Sequence, residues 1–355
     1  MRILAISPAA DHTNVALYEN YSHQWTETQS YDASELSAFP DIISQEEFRL
    51  GKLKELLDSK GERLNNIQAF VATGGLLHPV ESGTYQINID MLQDLSSAKY
   101  GECPANLGAP LAMRLANIAG SRYAYVVDPP SVDDMSEFAH MTGIPEVSRW
   151  SVFHALNQRA VAQREAKSLG KKIADCNFVV CHFDDVMSIG AHSGGRVVDV
   201  NDLGNGSGAM SMRQSGDMPP VALIDLCFSG RFSYAELRDR AFWSGGLAAH
   251  LGTDNIDEII EHVKSGDRKW ALGLNAYLHN ITKQIGACAA VLRGKVDSII
   301  LTGSMAMSDY FCEQISQRVS WIAPVVAYPG EDDLLALVES TIRVMLGAEN
   351  AKTYG

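Results

Sequence analysis

Phe178–Asn201 reads FVVCHFDDVMSIGAHSGGRVVDVN, and its alternation of apolar runs with turn residues decides the fold class. The apolar run Phe178–Cys181 meets a polar turn, His182–Asp185, and a second run, Val186–Ala191, leaves it. Ser193-Gly194-Gly195 then turns the chain into a third run, Arg196–Val200. Short apolar runs bounded by Gly, Ser and Asp predict a strand–turn–strand–turn–strand meander. The N-terminus opens in the same way, with Ile3–Ile6, the polar turn Ser7–Asn14 and the run Val15–Tyr18 before Glu19-Asn20. Two such openings, at Ile3 and at Phe178 in a chain of 355 residues, predict a duplicated α/β unit.

Composition bounds the rest. A chain of 355 residues is long enough for two domains with full cores. A net charge of −14 argues against nucleic acid or an anionic membrane as partner, since each would repel it. No apolar run approaches the ~20 residues a membrane span needs. The opening MRILAISPAAD has too short an apolar stretch for a signal peptide. The six cysteines (Cys103, Cys176, Cys181, Cys227, Cys288 and Cys312) contain no CxxC pair and no metal-ligand spacing. Together these predict reduced thiols in a cytoplasmic protein.

In chain order, Ser44–Lys60 has helical spacing, with Phe48, Leu53, Leu56 and Leu57 on one face. Ile67–Ala72 is a short buried strand ending in Thr73-Gly74-Gly75, where ligands collect in open α/β sheets. Asn106–Ala119 is an amphipathic helix, and Tyr123–Val127 a strand that delivers Asp128 ahead of Pro129-Pro130. This alternation predicts helices packed on a mostly parallel sheet over the first ~140 residues. The Gly- and Pro-bearing stretch Gly143–Ser148 predicts a boundary, giving domains 1–145 and 146–330, with the final helix at 332–347 packing back on the first. Helices are expected over Ser151–Leu169, Ser233–Trp243, Asn255–Val263, Arg268–Leu292 and Asp309–Val319. Strands are expected over Ser298–Thr302 and Pro324–Ala327. Gly204–Gly208 (GNGSG) is no P-loop, because no Lys-Ser/Thr follows it.

Several stretches resemble butyrate kinases, the short-chain carboxylate kinases of the acetate kinase family. They include GGLLHPVESGTYQIN (74–88), NLGAPLA (106–112), YVVDPPSVDDM (125–135) and SVFHALNQRAVA (151–162). VVDVN (197–201), CFSG (227–230), GGLAAHLGTDNIDEI (245–259), IILTGS (299–304) and VVAYPGEDDLLAL (325–337) continue the match in order. The resemblance implies a two-domain actin-like ATPase fold, duplicated and ribonuclease H-like, with nucleotide in the interdomain cleft. It implies ATP-dependent conversion of a short-chain carboxylate to an acyl phosphate, with Mg²⁺, in a homodimer or higher homo-oligomer. Such chemistry needs in-line positioning and positive charge about the moving phosphoryl group rather than covalent help.

The resemblance also implies site residues. His154 stands where the family's histidine contacts the transferring phosphoryl, and Asp128 where its active-site carboxylate sits. His182, Asp184, Asp185 and Ser188, with Thr302, Gly303 and Ser304, fall on the nucleotide and phosphate side. Gly74, Gly75 and Asn106 fall on the carboxylate side, and Asp332 near the family's metal-linked acid. Residue chemistry alone leaves blander readings open. His154 suits a locally satisfied helix-start histidine, Asp128 an Asx-type turn, and Asp184-Asp185 a solvated turn or a new cation site with Asp11.

Departures from the family fall on the phosphate-handling parts. The first hairpin of the family reads like Asn-Pro-Gly-Ser-Thr-Ser-Thr-Lys, and here Ser7-Pro8-Ala9-Ala10-Asp11-His12-Thr13-Asn14. The second reads like His-Leu-Gly-Gly-Gly, and here His182-Phe183-Asp184-Asp185-Val186. Glycines in such turns let backbone N–H groups approach phosphate oxygens. The arginine before Gly-Gly is replaced by Thr73, and that of an Arg-Ser-Gly motif by Gln214, with Arg213 one residue off. Two outcomes stay open: a divergent kinase with substitute cations, Arg149 and Arg213 among the candidates, or a non-catalytic homologue that binds a small ligand or a protein.

Overall fold

Both apolar–polar–apolar openings fold as antiparallel hairpins. β1 (Arg2–Pro8) pairs with β2 (His12–Glu19) from Arg2↔Glu19 to Pro8↔Thr13, and β3 (Ser22–Ser30) continues the meander. β4 (Ala69–Thr73) joins β1 in parallel; β5 (Thr84–Gln86) and β6 (Tyr123–Val127) follow, β6 parallel to β4. The second opening gives β7 (Asn177–Phe183), β8 (Met187–Ser193) and β9 (Arg196–Val200), all antiparallel. β10 (Ser298–Gly303) joins β7 in parallel and β11 (Val325–Pro329) joins β10 in parallel. β12 (Lys352–Thr353) closes the edge of the first sheet against β5.

In the computed structural model, which describes residues 1–355, the chain divides into two compact units. One comprises Met1–Asp133, Ala155–Asn157 and Asp332–Gly355; the other comprises Asp134–His154 and Gln158–Glu331. Strand order is β12-β5-β6-β4-β1-β2-β3 in the first sheet and β11-β10-β7-β8-β9 in the second. Reading β1 as β7, β2 as β8, β3 as β9, β4 as β10 and β6 as β11 superimposes five strands in order and direction. The duplication read from the two openings is thus present at the level of topology. The sheet of the first unit is mixed, not mostly parallel as the β/α alternation suggests. Strands joined by tight turns must run antiparallel, and such turns link β1, β2 and β3.

In the first unit the helices Gly108–Ala119 and Asp333–Met345 both pack on the central strands β1, β4 and β6. In the second unit the strand period of two sorts side chains onto two cores. Val179, Cys181, Phe183, Met187, Ile189 and Ala191 face the helix Arg268–Val291, which offers Tyr277, Leu278, Ile281, Ile285 and Cys288 at helical spacing. Phe178, Val180 and Ile300 point the other way, against Val161, Ala162 and Ala166 of the helix Ala155–Ser168. That helix starts four residues later than periodicity over Ser151–Leu169 suggests. The preceding segment spends its backbone elsewhere: Trp150 N–H donates to Asp202 Oδ2 (2.8 Å), and Val152 C=O accepts from Leu203 N–H (3.0 Å). His154 therefore stands at the N-cap, outside the helix.

Candidate active-site residues

On the second core face, β8 carries Ser188, Gly190 and His192 at alternate positions, and β7 ends that face with His182, opposite Ser188. His182, Ser188 and Gln158 are fully buried. His154 and Gln158 are one helical turn apart, and His154 C=O accepts the Gln158 N–H (3.0 Å). The turn brings Gln158 onto β8, and Gly190 makes room for it: a Cβ there would lie 2.7 Å from Gln158 Oε1.

Hydrogen-bond logic fixes the protons. Gln158 Nε2 lies 3.0 Å from the Ser188 carbonyl oxygen, which only accepts, so this end of the amide is the NH₂. Its other hydrogen goes to Ser188 Oγ at 2.8 Å, and Gln158 Oε1 accepts from His192 Nε2 at 2.9 Å. With its oxygen accepting from Gln158 and from the His154 backbone N–H (3.4 Å), Ser188 has its hydroxyl hydrogen left to donate to His154 Nδ1, 2.8 Å away. His154 thus carries its proton on Nε2. Burial, and then the neighbouring His182 charge, hold its basicity well below the ordinary histidine range. Burial, reinforced by the Arg159 guanidinium, depresses His192 to about 3. A row of neutral groups therefore presents one N–H, at His154 Nε2, on a residue that is half-buried.

The His182 ring stacks on His154, with centroids 3.8 Å apart and planes 10° from parallel. Its Nε2 lies 2.6 Å from Asp184 Oδ2 and 2.7 Å from Glu331 Oε1. Burial works against charge on His182, but hydrogen bonds to the two carboxylates outweigh it and raise the ring to about 9. Asp184 in turn stays ionised, because His182 and Ser304 overcome the cost of burying its charge. Asp184 Oδ1 accepts from the Ser304 N–H (3.1 Å) and from the Ser304 hydroxyl. Gly303 keeps φ +90°, and a Cβ there would meet Phe183 backbone at 2.4 Å, so this strand end admits only glycine. Thr302 is buried, with Oγ1 3.2 Å from Gly330 O.

Asp185 turns away from this group toward Arg213, whose Nε lies 3.4 Å from it and whose other end pairs with Asp254. A cavity of about 240 Å³ is lined by Asp184, Asp185, Asp254, Asn255, Ser304 and Met305, among others. Arg149 is engaged elsewhere, bonding Asp199 Oδ1 (2.6 Å) and the carbonyls of Ala139 and Val200. Glu331, Gln158 and His192 lie outside the sequence-based set. The alternation Ser188-x-Gly190-x-His192, polar on an otherwise apolar strand, marks His192, and the acidic run Glu331-Asp332-Asp333 after Pro329-Gly330 marks Glu331; Gln158 carries no such signal.

In the first unit β6 delivers Asp128 at φ 38°, a left-handed conformation that costs a non-glycine residue ~1 kcal/mol or more. Its backbone N–H donates to Gly83 O (3.0 Å), and its Oδ1 accepts from Gly83 N–H (2.7 Å), so the loop is pinned at both groups. Gly74 and Gly75 follow β4 with no space for a side chain: a Cβ would meet Pro129 Cβ at 2.5 Å and Asn106 Oδ1 at 2.2 Å respectively. Asn106 bonds Leu76 N–H (2.9 Å) and Gly101 O (2.9 Å), so its amide shapes this loop. Thr73 Oγ1, at the mouth of the same turn, is buried without a hydrogen-bond partner. Arg49, fully buried, donates to the carbonyls of Ala9, Ala10 and His12 and so clamps the first hairpin turn. Asp11 pairs with His12 (2.8 Å). Asp332 precedes the helix Asp333–Met345 in the first unit, whereas the carboxylate that reaches His182 belongs to Glu331 of the second.

Two sheets with the same five-strand order, each opened by a hairpin, define an actin-like ATPase fold. In agreement, the acetate kinase of Porphyromonas gingivalis superimposes with a TM-score of 0.78 over 97% of this chain and 99% of that one, at 17% identity. Residues 141–318 match the sequence model of the acetokinase family. Butyrate kinase 2 of Clostridium acetobutylicum is 42% identical over 353 residues, covering 99% of each chain. A probable butyrate kinase of Coprothermobacter proteolyticus is 41% identical over 354 residues, again covering 99% of each. The chain belongs to the acetokinase family.

Proposed function

We propose that this chain transfers a phosphoryl group from ATP to a short-chain carboxylate such as butyrate, giving an acyl phosphate and ADP. The observation that carries the reading is His154 itself. It is held neutral with its N–H on Nε2, so it can donate to a phosphoryl oxygen without giving up the proton. Ser188 and Gln158 position that ring rather than touch substrate. Asp128, fixed by Gly83, positions the acceptor, and the unpartnered Thr73 hydroxyl offers it a hydrogen bond. Thr302, Gly303 and Ser304 border the nucleotide side, with His182, Asp184 and Asp185.

Bare phosphate fits the second hairpin poorly, because Asp184 occupies the Ser304 donors and three carboxylates line the neighbouring cavity. A phosphate accompanied by Mg²⁺ fits better: Asp185 and Asp254, which here pair with Arg213, would turn to the cation, and Asp332 is the proposed metal-linked acid. When bound, Mg²⁺ would neutralise charge on the phosphates. The helix Pro220–Cys227 buries none of its side chains, and Val221, Ile224 and the following Phe228 are exposed, which supports a homodimer or higher homo-oligomer. No helix is long and apolar enough to cross a membrane; a cytoplasmic setting is proposed on composition.

The Asp184–Ser304 contact also favours a second reading, a non-catalytic homologue whose phosphate cradle is filled by its own carboxylate. Hydroxamate trapping of acyl phosphate from Mg-ATP with acetate, propionate, butyrate and isobutyrate separates the two. Turnover abolished by His154→Ala supports the kinase. No turnover with any acid, in protein of native circular dichroism, sinks it in favour of the homologue. Mg-ATP melting shifts then report whether nucleotide binds at all.

A further inference from the structure

We propose that His182, Asp184 and Glu331 form a binding site for a divalent first-row transition ion of the Zn²⁺ type, held by protein ligands alone. Their ligand atoms lie within 4.8 Å of one another. Both carboxylates aim at a single ring nitrogen, His182 Nε2, at 2.6 and 2.7 Å. One N–H cannot make two straight hydrogen bonds, whereas a metal ion at that point accepts the nitrogen and both oxygens together.

The three ligands are held in different ways. The His182 ring is wholly buried at the end of β7 and stacked on His154, so its orientation is fixed. Asp184 is aimed by Ser304, which binds its other oxygen, the outer support that metal-bound carboxylates ordinarily have. Glu331 follows the Pro329-Gly330 turn and its side chain is 42% exposed, so it can move. Tetrahedral ligand atoms ~2.1 Å from an ion lie ~3.4 Å apart, so an entering ion needs the carboxylates to open by less than ~1 Å. Glu331, the exposed member of the set, can supply that opening. One imidazole and two carboxylates suit Zn²⁺, Mn²⁺ or Co²⁺ better than Mg²⁺, which prefers oxygen alone and keeps its waters. Asp184, one of the three ligands, also lines the cavity of about 240 Å³. Because the ligands are all side chains of the second unit, binding requires no nucleotide and does not depend on the kinase reading.

The test uses the full chain stripped with a chelator and titrated with Zn²⁺ by calorimetry and with Co²⁺ by visible absorption. The native protein is expected to take one equivalent of Zn²⁺ and to show the intense d–d bands of four-coordinate Co²⁺. Affinity should fall at least ~10-fold in Asp184→Asn and in Glu331→Gln. It should be unchanged in His12→Ala, which removes an imidazole–carboxylate pair of the first unit. Should Asp184→Asn fail to fold, Glu331→Gln decides alone, since its side chain is half-exposed. Absence of binding to native protein, or retention of full affinity in a folded Asp184→Asn or Glu331→Gln variant, overturns the assignment.

Discussion

His192→Gln removes the titratable end of the network that fixes His154, and its effect on stability can be worked out from the structure. In the folded chain His192 is buried beside Arg159 and takes a proton only near about 3; in the unfolded chain it does so near ~6.5. Its folded basicity is depressed, so the stability it contributes is complete above ~6.5 and is lost as pH falls toward 3. Between pH ~7.5 and pH ~5 the unfolded state gains almost a full proton at this site and the folded state almost none. One pKa unit is worth ~1.4 kcal/mol, so the loss is about 2 kcal/mol. His154, depressed in the same direction, and His182, raised to about 9 with the opposite sign, act in both proteins and cancel in the comparison. The assay is urea unfolding of native protein and His192→Gln at the two pH values, with the change in unfolding free energy compared between them. The native protein should lose about 2 kcal/mol more than the variant. Equal losses, or an imidazole resonance of folded protein assigned to His192 and titrating near ~6.5, would refute the reasoning.

Gly190→Ala places a methyl 2.7 Å from Gln158 Oε1 and should destabilise the chain by ~1–3 kcal/mol, read as a lower urea midpoint at unchanged m-value. Ser188→Ala removes the hydroxyl that faces His154 Nδ1. The ¹⁵N shifts of His154, expected in native protein to show a bare Nδ1 and a protonated Nε2, should then move toward a tautomer mixture. If the chain turns over carboxylate, kcat should fall in the same variant with KM little changed. Arg49→Met takes the guanidinium from three hairpin carbonyls, of which only that of His12 keeps a backbone donor, Ala9 N–H, and should cost at least ~2 kcal/mol by urea unfolding; a cost near zero would mean that water replaces the guanidinium.

Some of the candidate site was legible one residue at a time. His154, Asp128 and the Gly74-Gly75 turn stand at strand ends and helix starts, where local punctuation and likeness to butyrate kinases both point. The partners were not legible in that way. Gln158 reads as an ordinary polar position in an amphipathic helix, and only the start of that helix at Ala155 sets it against Ser188. Arg149 and Arg213 looked like replacement cations, yet Arg149 is committed to Asp199, while Arg213 divides itself between Asp185 and Asp254. Asp184 and Asp185 are adjacent in a turn and read as a pair. The turn between β7 and β8 sends them apart, one to His182 and Ser304 and the other to Arg213.

By itself, the sequence determined the repeated meander, the ends of most helices and the kinship with the acetokinase family. Hydrophobic period, turn residues and motif order are local properties, readable without knowing what lies across a sheet. Tertiary structure alone decided which protons sit where. The neutral His154 with its Nε2–H, the charged His182 stacked on it, and the convergence of Asp184 and Glu331 on one nitrogen join residues 2 to 149 positions apart. Burial and charge act through space, so an ionisable group takes its character from neighbours that the chain brings to it only on folding.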